Sequence, residues 1–430
     1  MHDRKFIVGL FFLPPMLLGS FFLGWWLRAR QDTVAKERVD LVRVAAERIK
    51  ERYVGDVNEA KLFEGALDGM VATLDEYCEY FTAAEWDDFN SMELKGRFGG
   101  VGILVEADRQ TGFVNVLTPL EDTPAFREDI LPGDKIIEVE GESTKGKALQ
   151  DVVKRIKGEP GTKVTIKLWR QGKDPFSVTL VRAIIKVQAV RHRMLDGGIG
   201  YIRISSFSEM MESFDLAVSD LRSKGMRGLV IDLRFNGGGL LDECRKMCDR
   251  FLPEGEMIVY TKGKTSADNR ELRATGKDDY PAWPVVVLVN EGSASASEIF
   301  AGAMKDHKRA VLVGARTFGK GSVQSPIQMP DGSYVKLTTA KYYTPSGFSV
   351  SKIPGQREYG LDPDYRVEMT SEEYAKLIKK WNEERIVKNG DKKADEFKDL
   401  QLEAGLEVLK AKLEGREPKV ERREIAKEKK

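Results

Sequence analysis

The chain is 430 residues long, room for two or three domains, and its 41% hydrophobic and 32% charged residues suit a globular protein with an ample core. With 69 Lys+Arg against 68 Asp+Glu, the formal net charge is +1, which leaves no overall field to draw nucleic acid. Three cysteines cannot build a disulfide framework.

In chain order, the first feature is FIVGLFFLPPMLLGSFFLGWWL, residues 6–27, uncharged throughout and closed by Arg28 and Arg30. A run this long matches the bilayer core and lacks a small-residue cleavage site, so residues 1–30 read as a retained signal anchor, one transmembrane helix. Residues 31–96 follow as a helical region. VAKERVDLVRVAAERIKERYV and KLFEGALDGMVATL carry apolar residues at helical spacing, either as an oligomerisation arm or as a cap on the next domain. Residues 97–186 change to short strands, with GGVGILVEAD, GFVNVLTPL, DKIIEVEG, TKVTIKLWR and PFSVTLVRA separated by turn signals and joined by two helices, DTPAFRED and KALQDVVKRIKG. From 187 to 370 strands alternate with helices. GIGYIRISSF, MRGLVIDLRF, WPVVVLVNEG and RAVLVGARTF read as strands, MRGLVIDLRF a buried one, and an α/β layered core is expected. Residues 371–430 form a highly charged helical tail whose end, KVERREIAKEKK, reads as a solvated face. Cys78, Cys244 and Cys248 read as buried small apolar residues, since no Cys or His cluster completes a metal site.

Three stretches could carry chemistry. In VVVLVNEGSASASEIF a buried strand turns directly into a helix, and a serine at that junction is rigid and faces the positive end of the helix. The bland alternative is that Ser295-x-x-Glu298 is a capping box, and nothing in the stretch selects among Ser293, Ser295 and Ser297. A hydroxyl nucleophile needs a base. Of the three histidines, His2 precedes the apolar segment, His307 ends the helix that Ser295 would open, and His192 has no acidic neighbour in sequence, though the fold could supply one and with it a Ser-His-Asp triad. Lysine is the other candidate. VGARTFGKGSVQ places Lys320 between glycines, with Gln324 four residues on to orient the amine, although an exposed turn lysine is the commoner fate. The same loop misses a phosphate-binding pattern, because Gly321 stands where the magnesium-binding hydroxyl should be and a strand follows where a helix should start. The third stretch, DLRFNGGGL, offers a glycine turn suited to an oxyanion hole or to a tight strand-to-helix turn.

Together these pieces resemble the C-terminal processing proteases, Ser-Lys serine peptidases with a PDZ domain. The resemblance runs over about residues 36–368 through LDEYCEYF, GVGI, LPGDKIIEVEG, GYIRISSF, IDLRFNGGGLLDE, VNEGSASASE, GARTFGKGSVQ, DGSYVKLTTAKYYTPSG and GLDPDY. DLQLEAGLEVLK is also similar to the family's C-terminal helix. The resemblance implies a crotonase/ClpP-like α/β core with an inserted PDZ domain. It places the nucleophile at Ser295, the general base at Lys320 and its supporting amide at Gln324, with an oxyanion hole from the N–H groups of Gly238 and Ala296. Ser293 and Ser297 are then structural. Gly99, Gly100, Val101, Gly102 and Ile103 become the carboxylate-binding loop of the PDZ domain, whose groove takes protein C-termini with apolar side chains. No metal or cofactor is implied. A homodimer tethered to the inner membrane, with its catalytic body outside the cytoplasm, is expected. Two departures stand out: Phe235 and Gly237 replace the first Asn and the Pro of the usual Asn-Asn-Pro-Gly-Gly, and Glu76 and Cys78 replace a Pro and a Ser. The altered turn keeps a weak or inactive PDZ adaptor as the alternative.

Overall fold

The computed structural model describes residues 36–91 and 96–425, apart from 109–110, 121–122, 129, 132, 171, 187, 277–279, 281–282, 354 and 386–396. The expected membrane anchor, residues 1–30, lies outside the described residues. Among those described, no helix is long and apolar enough to cross a membrane. The chain divides after Tyr80 into two compact units.

In the N-terminal unit the expected helices occupy 36–52 and Glu59–Val71. Asn58 Oδ1 caps the second by accepting the Lys61 N–H at 3.2 Å. The helical spacing of Val39, Leu41, Met70 and Leu74 does not serve burial within this unit, because all four are exposed.

Residue 81 onward forms the second unit. Its first part is a small β domain in which Ile103–Ala107, Val114–Pro119, Lys135–Val139, Lys163–Trp169 and Phe176–Val181 make one antiparallel sheet. Period-2 alternation along Lys163–Trp169 turns Val164, Ile166 and Leu168 inward, where they pack with Val152 and Ile156 of the helix Leu149–Ile156. GGVGILVEAD proves to be two strands. Arg97–Gly100 pairs with Ala183–Lys186, and Gly102, at φ +77°, breaks the run before Ile103.

Beyond it lies the layered core. Its sheet runs in the order Val190–Leu195, Ile199–Ile204, Gly228–Asp232, Val285–Val289, Val311–Gly314 and Tyr365–Arg366, all parallel after the first hairpin. Alternate residues of the central strands feed two cores. Leu229, Ile231, Val285 and Val287 pack against the helices Met211–Ser223, Leu241–Cys248 and Ala296–Asp306 on one face. Val230, Val286 and Leu288 meet Val408 and Leu409 of the helix Leu400–Glu414 on the other. Burial on both faces is why these strands read as continuous apolar runs. The glycine turn, the serine turn and the lysine loop leave the C-terminal ends of three adjacent parallel strands, the edge where open α/β sheets place their sites. A second, antiparallel sheet pairs Ser322–Gln328 with Tyr334–Tyr343 and the latter with Met257–Gly263.

The tail is helical, as expected, and two of its helices are anchored by buried residues. Gln401, Gly405, Val408, Leu409 and Ala411 of one helix are buried, and Tyr374, Leu377 and Trp381 of the helix Ser371–Arg385 form a cluster of their own. The last described residues are mostly exposed, as expected, though Arg423 bridges to Val367.

Candidate active site

The structure separates the three serines by what their hydroxyls do. Ser293 Oγ donates to Leu233 O at 2.8 Å and accepts the Asn290 N–H at 3.0 Å. Ser297 Oγ donates to Asn236 O at 2.9 Å. Both side chains are fully buried and stitch the serine turn to the glycine turn, whereas Ser295 is partly exposed at the start of its helix. Its backbone sits at φ +55°, ψ −117°, a conformation that L residues other than glycine adopt only under constraint.

Glu298 supplies that constraint. The expected capping box is present: the Ser295 side chain accepts the Glu298 N–H, and the Glu298 carboxylate accepts the Ser295 N–H at 3.0 Å. The same group also accepts Lys320 N–H at 2.9 Å, Gly319 N–H at 2.8 Å and Thr317 Oγ1–H at 2.6 Å. Burial pushes the Glu298 pKa above its ordinary value, with these hydrogen bonds opposing it. One buried carboxylate thus joins the backbone of the candidate nucleophile to that of the candidate base. Sequence spacing showed only the first of these contacts, as a cap. Tyr342, buried in the second sheet, directs its hydroxyl at Ser295 O at 3.3 Å, and no local signal marked it.

Lys320 is partly buried in its loop. Gln324 follows on the strand Ser322–Gln328, where its Nε2 donates to Ser322 Oγ at 2.8 Å and to Thr338 Oγ1 at 3.2 Å. Those bonds turn the amide so that its carbonyl oxygen is the atom left for an ammonium. Both histidines have partners of their own. His192 pairs with Asp220 at 2.9 Å, and His307 contacts Met257 O at 2.7 Å and Glu256 at 3.2 Å. The cysteines are buried as read, and Cys244 Sγ donates to Ala296 O at 3.2 Å.

The glycine turn lies against the serine turn. A methyl group on Gly238 would stand 2.8 Å from Ser295 Cβ and 3.0 Å from Ala296 N, so only glycine permits this approach. Ala296 opens its helix, and its N–H is among the four that have no acceptor within the helix. The Gly238 N–H departs from expectation, because it donates to Asn236 Oδ1 at 2.9 Å. An asparagine bonding the backbone two residues on is a common turn closure, and it competes here for the amide assigned to an oxyanion. Asn236 holds both turns together: its Nδ2 donates to Ile204 O at 2.9 Å, and its carbonyl oxygen accepts Ala294 N–H at 3.0 Å.

In the β domain, Phe98, Gly100, Val101, Gly102, Ile103, Val153 and Lys157 line a mostly apolar cavity of about 70 Å³ between a strand and the helix Leu149–Ile156. Of the candidate carboxylate loop, Gly99 and Gly100 lie within the strand Arg97–Gly100, Val101 and Gly102 connect it to the next, and Ile103 begins that strand.

Residues 198–367 match the model of peptidase family S41, residues 116–170 that of a PDZ domain, and residues 27–84 the N-terminal domain of the activating protease CtpB. Fold and matches together define a multidomain α/β peptidase of the serine type that carries a PDZ domain. The chain is 41% identical over 328 residues to a carboxy-terminal-processing protease of Bartonella bacilliformis, covering 75% of this chain and 73% of that one. It is 35% identical to the carboxy-terminal processing protease CtpA of Bacillus subtilis, over 82% of this chain and 73% of the relative. Among solved structures, the photosystem II D1 C-terminal processing protease aligns with 28% identity and a TM-score of 0.45, covering 76% of this chain and 92% of that one. The chain belongs to the carboxy-terminal processing proteases of family S41.

Proposed function

We propose that the chain is an endopeptidase that engages the apolar C-terminal tail of a protein through its PDZ groove and cleaves it with a Ser295–Lys320 dyad. The observation that carries the reading is the Glu298 carboxylate, which accepts the backbone N–H of both residues, at 3.0 and 2.9 Å. Neutral Lys320, oriented by Gln324, takes the Ser295 proton as the oxygen attacks the peptide carbonyl. The Ala296 N–H stabilises the oxyanion, and the Gly238 N–H joins it by exchanging Asn236 Oδ1 for the substrate oxygen. Collapse of the tetrahedral adduct breaks the C–N bond, Lys320 protonates the leaving amine, and water releases the acyl group from Ser295.

The apolar segment 6–27 would tether this body to the outer face of the inner membrane. The terminal helices would pair two copies, and a monomer by light scattering at micromolar concentration would count against that pairing.

The deciding experiment incubates the purified full chain with an unfolded protein ending in apolar residues, beside Ser295→Ala, Lys320→Ala and Lys320→Arg. Products are read by mass spectrometry. Cleavage by the wild type alone is expected, since a guanidinium stays protonated and cannot serve as base. Equal cleavage by all four forms would overturn the dyad. Absence of both cleavage and serine-probe labelling in the wild type would favour the inactive adaptor.

A further inference from the structure

We propose that Trp381 and Tyr374, on the tail helix Ser371–Arg385, are positioning residues for the oxyanion turn and act on it through Phe235. The proposal rests on the reading of Gly238 and Ala296 as the oxyanion donors.

Phe235 has φ +57°, a left-handed conformation that a bulky aromatic residue adopts only where its surroundings impose it. The described contacts show what imposes it. The Phe235 N–H donates to Asn290 Oδ1 at 2.9 Å. Its ring meets Tyr374 edge-on, with centroids 5.2 Å apart at 82°, and Trp381 at 6.1 Å and 83°. Although it makes these contacts, Phe235 remains 37% exposed, so burial alone does not account for an aromatic residue at this strained position.

The neighbours on either side tighten the argument. Arg234, fully buried, is bound by Asp232 at 2.6 Å and by Asp399 of the tail at 2.8 Å, and its guanidinium lies 5.3 Å from the Trp381 ring centre. The Arg203 guanidinium lies 4.2 Å from the same ring centre. Asn236, on the other side, is bonded to the serine turn through Ala294 and Ser297. Three consecutive residues are therefore anchored, two in the tail and one in the serine turn, and Gly238 follows two residues later. Tyr374 also reaches the serine turn, since its hydroxyl donates to Glu291 Oε2 at 3.0 Å while accepting from Gln401 Nε2 at 3.2 Å. The tail helix thus touches both turns whose spacing sets the oxyanion donors. A displacement of about 1 Å in such a site lowers turnover on the order of a hundredfold.

The test compares the full chain with Trp381→Ala, Trp381→Phe and Phe235→Leu. It reads kcat and KM on a peptide ending in apolar residues, labelling of Ser295 by a fluorophosphonate, and amide hydrogen exchange. Trp381→Ala and Phe235→Leu should lower kcat about tenfold to a hundredfold with KM changed by less than about twofold. Exchange should quicken across 233–240 and stay unchanged in the strand Val285–Val289, and Trp381→Phe should restore most of both. Unchanged exchange at 233–240, or equal loosening of that strand, would overturn the proposal and leave the tail a packing element only. Should the wild type neither cleave nor label while exchange behaves as expected, the peptidase reading falls and the brace stands.

Discussion

The carboxylate of Glu298 accepts the backbone N–H of Lys320 at 2.9 Å, from a loop 22 residues further along the chain. Because the same oxygen also takes the Ser295 N–H, the separation of the two backbones is set by one atom rather than by two flexible side chains. Its other oxygen serves Thr317 and Gly319. All four donors sit on one buried acceptor group, which rules out an amide as a neutral substitute.

Glu298→Gln should therefore lose both stability and turnover. One side of the amide presents N–H to donors that need an acceptor, and each orphaned buried donor costs about 1–3 kcal/mol. Urea unfolding should show a loss of roughly 2–5 kcal/mol at neutral pH. The pH dependence has a definite sign. Burial raises the Glu298 pKa above 4.5 in the fold, so the folded state holds this proton where the unfolded state has released it. Stability from this group is then lost as pH rises through that window, and the wild-type margin over Glu298→Gln should widen as pH falls through the folded pKa toward 4.5.

In the PDZ groove, Val153→Asp places a carboxylate on the helix wall facing an apolar tail. Losing the apolar contact and adding an unpaired charge should cost about 1–3 kcal/mol of tail binding. The KM for a tail-bearing substrate should rise about tenfold to a hundredfold. Peptides too short to reach the groove should be cleaved as before. An unchanged KM for the long substrate would mean that tails bind elsewhere.

The buried cluster around Arg234 gives a third expectation. Burial alone would raise the Asp399 pKa, yet the Arg234 charge and the hydrogen bonds from Arg234 and the Leu402 N–H together outweigh it and hold the group below 3.8. Asp399→Asn leaves Arg234 with Asp232 as its remaining carboxylate partner among those described. A loss of about 3 kcal/mol is expected, the lower end for breaking a buried pair. The ionised Asp399 stabilises the fold fully above 3.8 and loses that effect as pH falls through its lower folded value. The gap between the two proteins in urea unfolding should close over the same range.

Much of the core was legible because parallel strands buried on both faces leave unbroken apolar runs, as in VVVLV and GLVID. The candidate chemistry was legible for a related reason: turns at strand ends need small residues, and SASAS and NGGG show them. What stayed hidden depends on distant contacts. Nothing local announces that Glu298 serves a loop beyond its own helix, that Asn236 takes the Gly238 amide, or that a tail rich in charge supports Phe235. Charge dominates the tail's composition and hides its packing, which only a few positions such as Trp381 and Leu409 carry.

Ser295→Gly offers the sharpest test of whether the serine turn is built for function at the expense of stability. Ser295 holds φ +55° and ψ −117°, where a Cβ is strained and glycine is not. Glycine keeps the backbone N–H that Glu298 accepts and, like alanine, loses the side-chain oxygen that accepts the Glu298 N–H. Glycine should then be about 1 kcal/mol more stable than alanine despite its extra chain entropy, while cleavage falls to background. Ser295→Ala, which keeps the Cβ, should be equally inactive without the gain. Thermal unfolding of the three proteins decides the matter. If glycine is no more stable than alanine, the left-handed backbone at this residue carries no strain worth relieving, and the candidate nucleophile would owe its position to packing alone.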